Sequence, residues 1–381
     1  MSKEIPPQEI LENYLKENKE DHFNYEKENE YKVSSGSLQF DMCLGGGFGP
    51  GLHRFIGVNE GGKTSESLQV MRNFLGTIPK SQGLYIKAEG RLGPELQKRS
   101  GLKLVSSSKE WVEGTCFVFE TNIYETAMTL IRNLMVDNEE IKYCFVVDSI
   151  DGLIRKGDSD KGFEESSKVA GGAVIASNFC KQTSIAMSKR GHMAIFISQV
   201  RADIKLDPYS KAPIRQNTAT GGNALLHYAN TIMEFEPRFK GDLILQNPSL
   251  KTMDAKKNPI IGHNAKVTVK KSPNENSHTT LTYPIRYGRV DGNSIWVEKE
   301  IVDLLYAWEF VEKKGAWIKP VDDFKELLDS KNLEFPDKIQ GDNNLFKTIE
   351  ENKELCLFLI DYFKEQISGW SLLIYMANSG T

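Results

Sequence analysis

Residues 57–64 read GVNEGGKT, which satisfies G-x-x-x-x-G-K-[ST] with Gly57, Gly62, Lys63 and Thr64 in the fixed places. The flanks restrict what such a loop can belong to. Before it stands HRFIG, an apolar run of strand length. After it stands SESLQVMRNFLG, where Leu68, Met71, Phe74 and Leu75 recur at helical spacing and Gly76 supplies a stop. In a strand–loop–helix unit the backbone N–H groups turn inward around phosphates and the helix N-terminus adds partial positive charge. Lys63 then reaches the terminal phosphates, and the Thr64 hydroxyl ligates Mg²⁺. The expected ligand is a nucleoside triphosphate.

Further strand candidates follow: GLYIKAE (83–89), CFVFE (116–120), YCFVVDS (143–149), MAIFISQ (193–199) and TIMEFE (231–236), with helical patterns between most of them. Strands alternating with helices predict an α/β fold with a mostly parallel sheet flanked by helices, and ligands at the carboxyl ends of the strands. The phosphate loop, Glu89, Asp148 and Gln199 all fall at such ends. AKVTVKK (265–271) and TTLTYPIRYG (279–288) alternate and read as antiparallel additions. From about Val290 the pattern turns helical through EIVDLLYAWEFVEKKG, DDFKELLDSK and NLFKTIEENKELCLFLIDYFKEQI. The expected division is 1–32, a helix and linker that serves as an oligomerisation arm, 33–289, the core, and 290–381, a small, mainly helical C-terminal domain. Pro6 and Pro7 open the first helix, in which Ile10, Leu11, Tyr14 and Leu15 form one apolar stripe. Its seat is either a neighbouring subunit or its own core. The last segment, SGWSLLIYMANSGT, is apolar and suggests no function.

At 381 residues with 39% hydrophobic and 26% charged residues, the chain has the composition of a soluble globular protein. The apolar runs are too short to span a bilayer, and the start lacks a secretion-signal core. Five scattered cysteines without metal-ligand spacing fit a reducing, cytoplasmic compartment. Residues 155–215 carry eleven Lys/Arg against six Asp/Glu, whereas 321–365 carry twelve acids against six lysines. A basic middle between acidic ends suits an anionic partner at one surface.

The strand-end residues have distinct expected tasks. Asp148 would hold the Mg²⁺ shell opposite Thr64. Glu89 would orient and deprotonate the water that attacks the γ-phosphate; the bland alternative is a salt-bridged strand-end glutamate. Gln199 would sense the γ-phosphate and pass its position to the next loop. That loop, VRADIKLDPYSKAPIRQNTATGGNA, carries Arg201, Lys205, Tyr209, Lys211 and Arg215, a mixture of phosphate contacts and an apolar ring that suits single strands. His227, on a helix surface, reads as packing rather than as a proton carrier.

Several motifs stand in one order: SGSLQFDMCLGGG (35–47), GVNEGGKT, YIKAE, CFVVDSIDGL (144–153), IFISQVR (195–201), TATGGNALLHYA (218–229) and EFVEKKGAW (309–317). Together they resemble the RecA recombinases, including their phage relatives of the UvsX type, over about three quarters of the chain. The resemblance implies a RecA-like P-loop ATPase core, ATP and Mg²⁺, and self-association into a helical filament on single-stranded DNA. It also implies pairing and strand exchange with duplex DNA, and loader and single-strand-binding proteins as partners. By position, Gly57, Gly61, Gly62, Lys63, Thr64 and Ser65 match the phosphate and Mg²⁺ site, with Asp148 the metal-shell carboxylate. Glu89, Lys63 and Gln199 match the catalytic set. Arg201, Gly221, Gly222 and Asn223 match DNA-loop positions, and Lys270 matches a lysine that reaches the neighbour's ATP. The chain departs from the pattern at Lys87, where an acid is usual, at Leu96, where an aromatic ring would stack on adenine, and near Val174. Leu226, His227 and Ser272 depart from it at subunit contacts. Two other readings remain open: a filament mediator that binds ATP and DNA without full exchange, and a ring helicase motor on the same core.

Overall fold

Short apolar runs that end in small or polar residues build the centre of the molecule. The computed structural model describes residues 5–90, 92–137, 140–159, 171–201, 218–219, 222–247, 250, 252–274 and 276–369. The N-terminal half runs α1 (Pro7–Glu17), α2 (Leu38–Cys43), β1 (Gly51–Gly57), α3 (Lys63–Thr77), β2 (Ser81–Lys87), α4 (Pro94–Ser100), β3 (Leu104–Val105), β4 (Cys116–Glu120), α5 (Tyr124–Asp137), β5 (Lys142–Asp148), α6 (Lys156–Ser159) and α7 (Gly171–Lys189). Then come β6 (Met193–Arg201), β7 (Thr218–Ala219), α8 (Gly222–Tyr228), β8 (Thr231–Phe235), β9 (Leu243–Leu245), β10 (Ile260–Lys271) and β11 (Thr280–Arg286). The C-terminal region holds α9 (Val297–Ala307), β12 (Val311–Lys314), β13 (Trp317–Pro320), α10 (Asp322–Asp329), β14 (Ile339–Gln340), α11 (Asp342–Glu351) and α12 (Lys353–Gly369).

One sheet of eleven strands runs β11-β10-β8-β1-β6-β5-β2-β4-β3, with β7 beside β6 and β9 beside β10. The strands from β8 to β3 are parallel, and β10 and β11 add antiparallel as the alternation predicts. Because side chains alternate across a strand, β5 feeds two cores. Cys144 and Val146 join Phe55, Leu68, Phe74 and Ile195 on one face, while Phe145 and Val147 join Ile86, Ile131 and Phe196 on the other. Each such side chain, fully enclosed, contributes about 1.5–3 kcal/mol of transfer free energy. Pro284 interrupts no ladder, since β11 is an edge strand.

Two segments differ from their sequence patterns. The expected helix through EFVEKKG ends at Ala307; Glu309 takes a positive φ of 57° and a β12–β13 hairpin follows, turning at Gly315 with φ 62°. The cause is a change of period: in WIKP, Ile318 and Pro320 are buried while Trp317 and Lys319 face out. The polar run after α1, read as a linker, lies along the core instead. Asn29 Nδ2 donates to the Lys189 carbonyl at 2.8 Å, Tyr31 OH donates to the Gly191 carbonyl at 3.2 Å, and Glu26 pairs with Arg190 at 3.0 Å. Polar contacts dock it alongside only two apolar anchors, Phe23 and Tyr31, too few to show a period in the sequence.

Candidate functional site at the carboxyl edge of the sheet

The register brings the strand ends together. Gly57 lies opposite Gln199 on one side and Phe235 on the other, and Lys87 lies opposite Asp148. Gly57 is held so close to β8 that a Cβ there would sit 2.2 Å from the Phe235 carbonyl oxygen, and its φ is 145°. Lys63 opens α3 from within the loop; its Nζ donates to the carbonyls of Gly57 at 3.0 Å and Val58 at 2.6 Å. Burial lowers the pKa of this amine, and the carboxylates of Asp148, Asp151 and Glu89 oppose that.

Across the loop, Asp148 Oδ2 accepts from Thr64 Oγ1 and from the Tyr85 hydroxyl, both at 2.7 Å. Burial raises the Asp148 pKa, and these two hydrogen bonds work against it. A hydroxyl and a carboxylate meeting beside a phosphate loop form an oxygen donor pair of the kind that Mg²⁺ takes, so the residues fit that ion. Ser65 accepts from Arg99 Nη2 at 3.4 Å.

Glu89 lies two residues beyond β2, past the strand end to which the sequence assigned it. Its Oε1 accepts from Ser149 Oγ at 2.5 Å and from Gln199 Nε2 at 3.1 Å. Glu89 and Gln199 thus meet through their side chains, and Lys87, at the end of β2, pairs with Glu120 at 2.6 Å. Beyond Gln199, β6 runs on to Arg201, where β7 pairs back: Val200 opposes Ala219 and Arg201 opposes Thr218. Thr218 and Ala219, late in the basic loop, thus pair with β6 within two residues of Gln199. Gly222 and Asn223 open α8. Lys205, Tyr209, Lys211, Arg215 and Gly221 lie outside the described residues, as do 370–381 of the apolar end segment.

Lys270 stands apart from this cluster. It falls at a register shift in β10 and pairs with Glu234 at 2.7 Å. Lys271 faces the other way, and its Nζ donates to the carbonyls of Leu226 at 3.0 Å and His227 at 2.7 Å, at the C-terminal end of α8.

Beside Leu96, which the sequence places near the base, several further site residues escape the sequence reading. A cavity of about 450 Å³ opens beside Gly61–Ser65 and is bounded by Leu96, Arg99, Arg238, His263 and Tyr287. The Tyr287 and His263 rings lie 5.5 Å apart, and Arg238 Nη1 donates to the Tyr287 hydroxyl at 3.0 Å. Burial, helped by Arg238, lowers the His263 pKa to about 4, so its ring is neutral at pH 7. A signal for Tyr287 existed in TTLTYPIRYG, whose last aromatic residue extends past the strand. Ser149 and Tyr85 sat inside quoted motifs, where only the final acids drew notice. A larger cleft of about 560 Å³, bordered by Arg72, Lys103 and Lys364 behind α3, contains none of the sequence-predicted site residues.

The family model of the RecA N-terminal domain matches residues 14–289, most of the chain. The chain belongs to the RecA family. Among curated relatives, Protein RecA of Rickettsia canadensis (strain McKiel) is 29% identical over 292 residues, covering 75% of this chain and 73% of that protein. Protein RecA of Bacillus thuringiensis (strain Al Hakam) is 29% identical over 294 residues, with the same coverage. Membership makes this a RecA-type recombinase in the broad sense, with the ATP- and DNA-binding character of that family. No helix among the described residues is long and apolar enough to cross a membrane.

Proposed function

We propose that the chain is a DNA-dependent ATPase of the cytoplasm that assembles into a filament on single-stranded DNA and promotes homologous pairing and strand exchange with a duplex. The observation that carries this reading is the hydrogen-bonded set Ser149–Glu89–Gln199 beside the phosphate loop, of which Gln199 stands on β6, the strand that continues into the basic loop. In this reading it would join a water-activating carboxylate to a DNA-facing segment by one short lever.

In this reading the backbone of Gly57–Gly62 cradles the phosphates and Lys63 offsets charge on the β- and γ-phosphates. Thr64 and Asp148 would hold Mg²⁺, which supplies further neutralisation of phosphate charge when bound. Glu89 accepts a proton from a water whose oxygen bonds to the γ-phosphorus in line with the departing β–γ bridging oxygen, giving ADP and inorganic phosphate. Tyr287 and the Leu96 side chain would enclose the base, with Leu96 giving apolar contact where a ring would stack. Arg201, Lys205, Lys211 and Arg215, with the Gly221–Asn223 turn, would track the DNA backbone. Lys270 would exchange its Glu234 partner for the neighbouring protomer's nucleotide. Residues 33–289 would carry the whole of this chemistry, with loader and single-strand-binding proteins as further partners.

ATP turnover with and without single-stranded DNA, followed by joint-molecule formation with a homologous duplex, tests the reading. DNA should stimulate hydrolysis, and Glu89→Gln should reduce kcat by 10²-fold or more, on the order expected for general-base catalysis, while ATP still binds. Normal hydrolysis by Glu89→Gln would remove that residue from its role. Turnover without joint molecules would favour a filament mediator, and closed rings in negative stain would favour a helicase motor.

A further inference from the structure

Gln199 is held from two directions, and only one of them is the Glu89 contact. Asp151 lies in the one-turn 3-10 helix Ile150–Gly152 directly after β5, and its Oδ2 accepts the Gln199 backbone N–H at 2.7 Å. Its Oδ1 is buried and meets no hydrogen-bond donor among the described residues. Beneath stands Arg54, 1% exposed, in the middle of a strand whose seven residues are all buried. Its guanidinium reaches Ser198 Oγ from Nε at 3.4 Å and Nη2 at 3.3 Å. Burial lowers the Arg54 pKa, and among the neighbours that push it back up the Asp151 carboxylate acts most strongly, ahead of Tyr124 and Cys180.

Arginine in a central strand and a carboxylate at the rim are costly to desolvate and contribute little net stability as a pair. Their contacts fall on two successive residues, Ser198 and Gln199, at the point where β6 leaves the core. Arg54 grips the first through its side chain and Asp151 grips the second through its backbone. Gln199 then has one free torsional unit, its side chain, with which to meet Glu89. We propose that Asp151, backed by Arg54, is a positioning residue that fixes the end of β6 so that nucleotide occupancy at Glu89 and Gln199 is passed to the segment after Arg201. The inference rests on the reading of Gln199 as the link between the two sites.

The test measures coupling in the full chain. Affinity for a fluorescein-labelled oligo-dT is compared with and without a non-hydrolysable ATP analogue, and analogue affinity is measured separately. In the parent the analogue should tighten DNA binding about tenfold, a usual size for such coupling. Asp151→Ala should reduce that factor to about twofold while analogue affinity changes less than about threefold, a split that loss of fold would not produce. Asp151→Asn, which keeps an acceptor for the Gln199 N–H, should restore most of the coupling. The double variant Arg54→Met with Asp151→Ala leaves no lone buried charge and should lose coupling as the single one does. Full coupling in Asp151→Ala or in the double variant overturns the proposal. So does an Asn variant as uncoupled as the Ala variant, because the acceptor would then be irrelevant. A parent in which the analogue leaves DNA affinity unchanged sinks the Gln199 reading, and this inference with it.

Discussion

Three carboxyls are enclosed where the phosphate-loop helix, α2 and α9 meet: Asp41, Glu66 and Glu300, at 2%, 3% and 0% exposure. Glu66 Oε2 accepts from the Tyr283 hydroxyl at 2.9 Å, while Oε1 is buried without a hydrogen-bond partner among the described residues. Glu300 accepts from Ser37 Oγ at 2.6 Å and from the Leu38 N–H at 3.0 Å. Burial pushes Glu66 and Glu300 up to about 8 and Asp41 to about 6, against hydrogen bonds that pull each one down. Asp41 also disfavours charge on Glu66 and Glu300, and Glu300 disfavours it on Glu66. The folded chain therefore retains protons that the unfolded chain releases near 4.5, the ordinary glutamate value. Stability from the two glutamates is fully present below that value and is lost as pH rises through about 8, and that from Asp41 is lost earlier, as pH rises through about 6. The slope is about 1.4 kcal/mol per pH unit for each group. Thermal unfolding across pH 5–9 checks this. Glu66→Gln, an uncharged mimic, should match the parent at pH 5 and unfold at a higher temperature than the parent at pH 9. A variant that loses stability equally at both ends would mean that Glu66 is ionised in the fold.

At the scale of elements, the close approach of β1 and β8 leaves no room for a side chain at the end of β1. A methyl at Gly57 would overlap the Phe235 carbonyl, whereas one at Gly315 has nothing within 4 Å and suffers only from its φ of 62°. Gly315→Ala should cost about 1–2 kcal/mol, the price of a left-handed L-residue. Gly57→Ala must separate two paired strands as well, so it should lower stability further and abolish binding of a fluorescent ATP analogue. Retained binding would show that the loop does not need that approach. The strands themselves were legible, because apolar runs of strand length bounded by polar ends have few other uses. Asp148 and Gln199 were readable as their last or near-last residues. Register was not, since nothing in the sequence says that Gly57 lies level with Gln199. The same limit hid Asp151 and Arg54, which meet Gln199 and Ser198 across 48 and 144 residues of chain. Helical period also concealed the hairpin after α9, because VEKKG has too few apolar residues to display its change of phase.

For the whole molecule, the sequence left two seats for the first helix, and its exposure bears on the choice. No residue of α1 is buried; Ile10, Leu11 and Tyr14 are 57%, 58% and 63% exposed. The segment behind it is pinned to the core through Glu26, Asn29 and Tyr31, while in the stripe itself only Leu15 is half-buried. A lone helix of eleven residues is marginal in water without a surface to pack on. A filament would supply one, with each copy lending its stripe to the next in a head-to-tail contact that leaves both ends open for growth. Removing residues 1–17 should therefore leave thermal unfolding and ATP binding unchanged. Negative-stain fields prepared with ATP and single-stranded DNA should lose their filaments. A fall in unfolding temperature on truncation would instead seat the helix on its own core. Filaments of ordinary length from the truncated chain would place the subunit contact elsewhere.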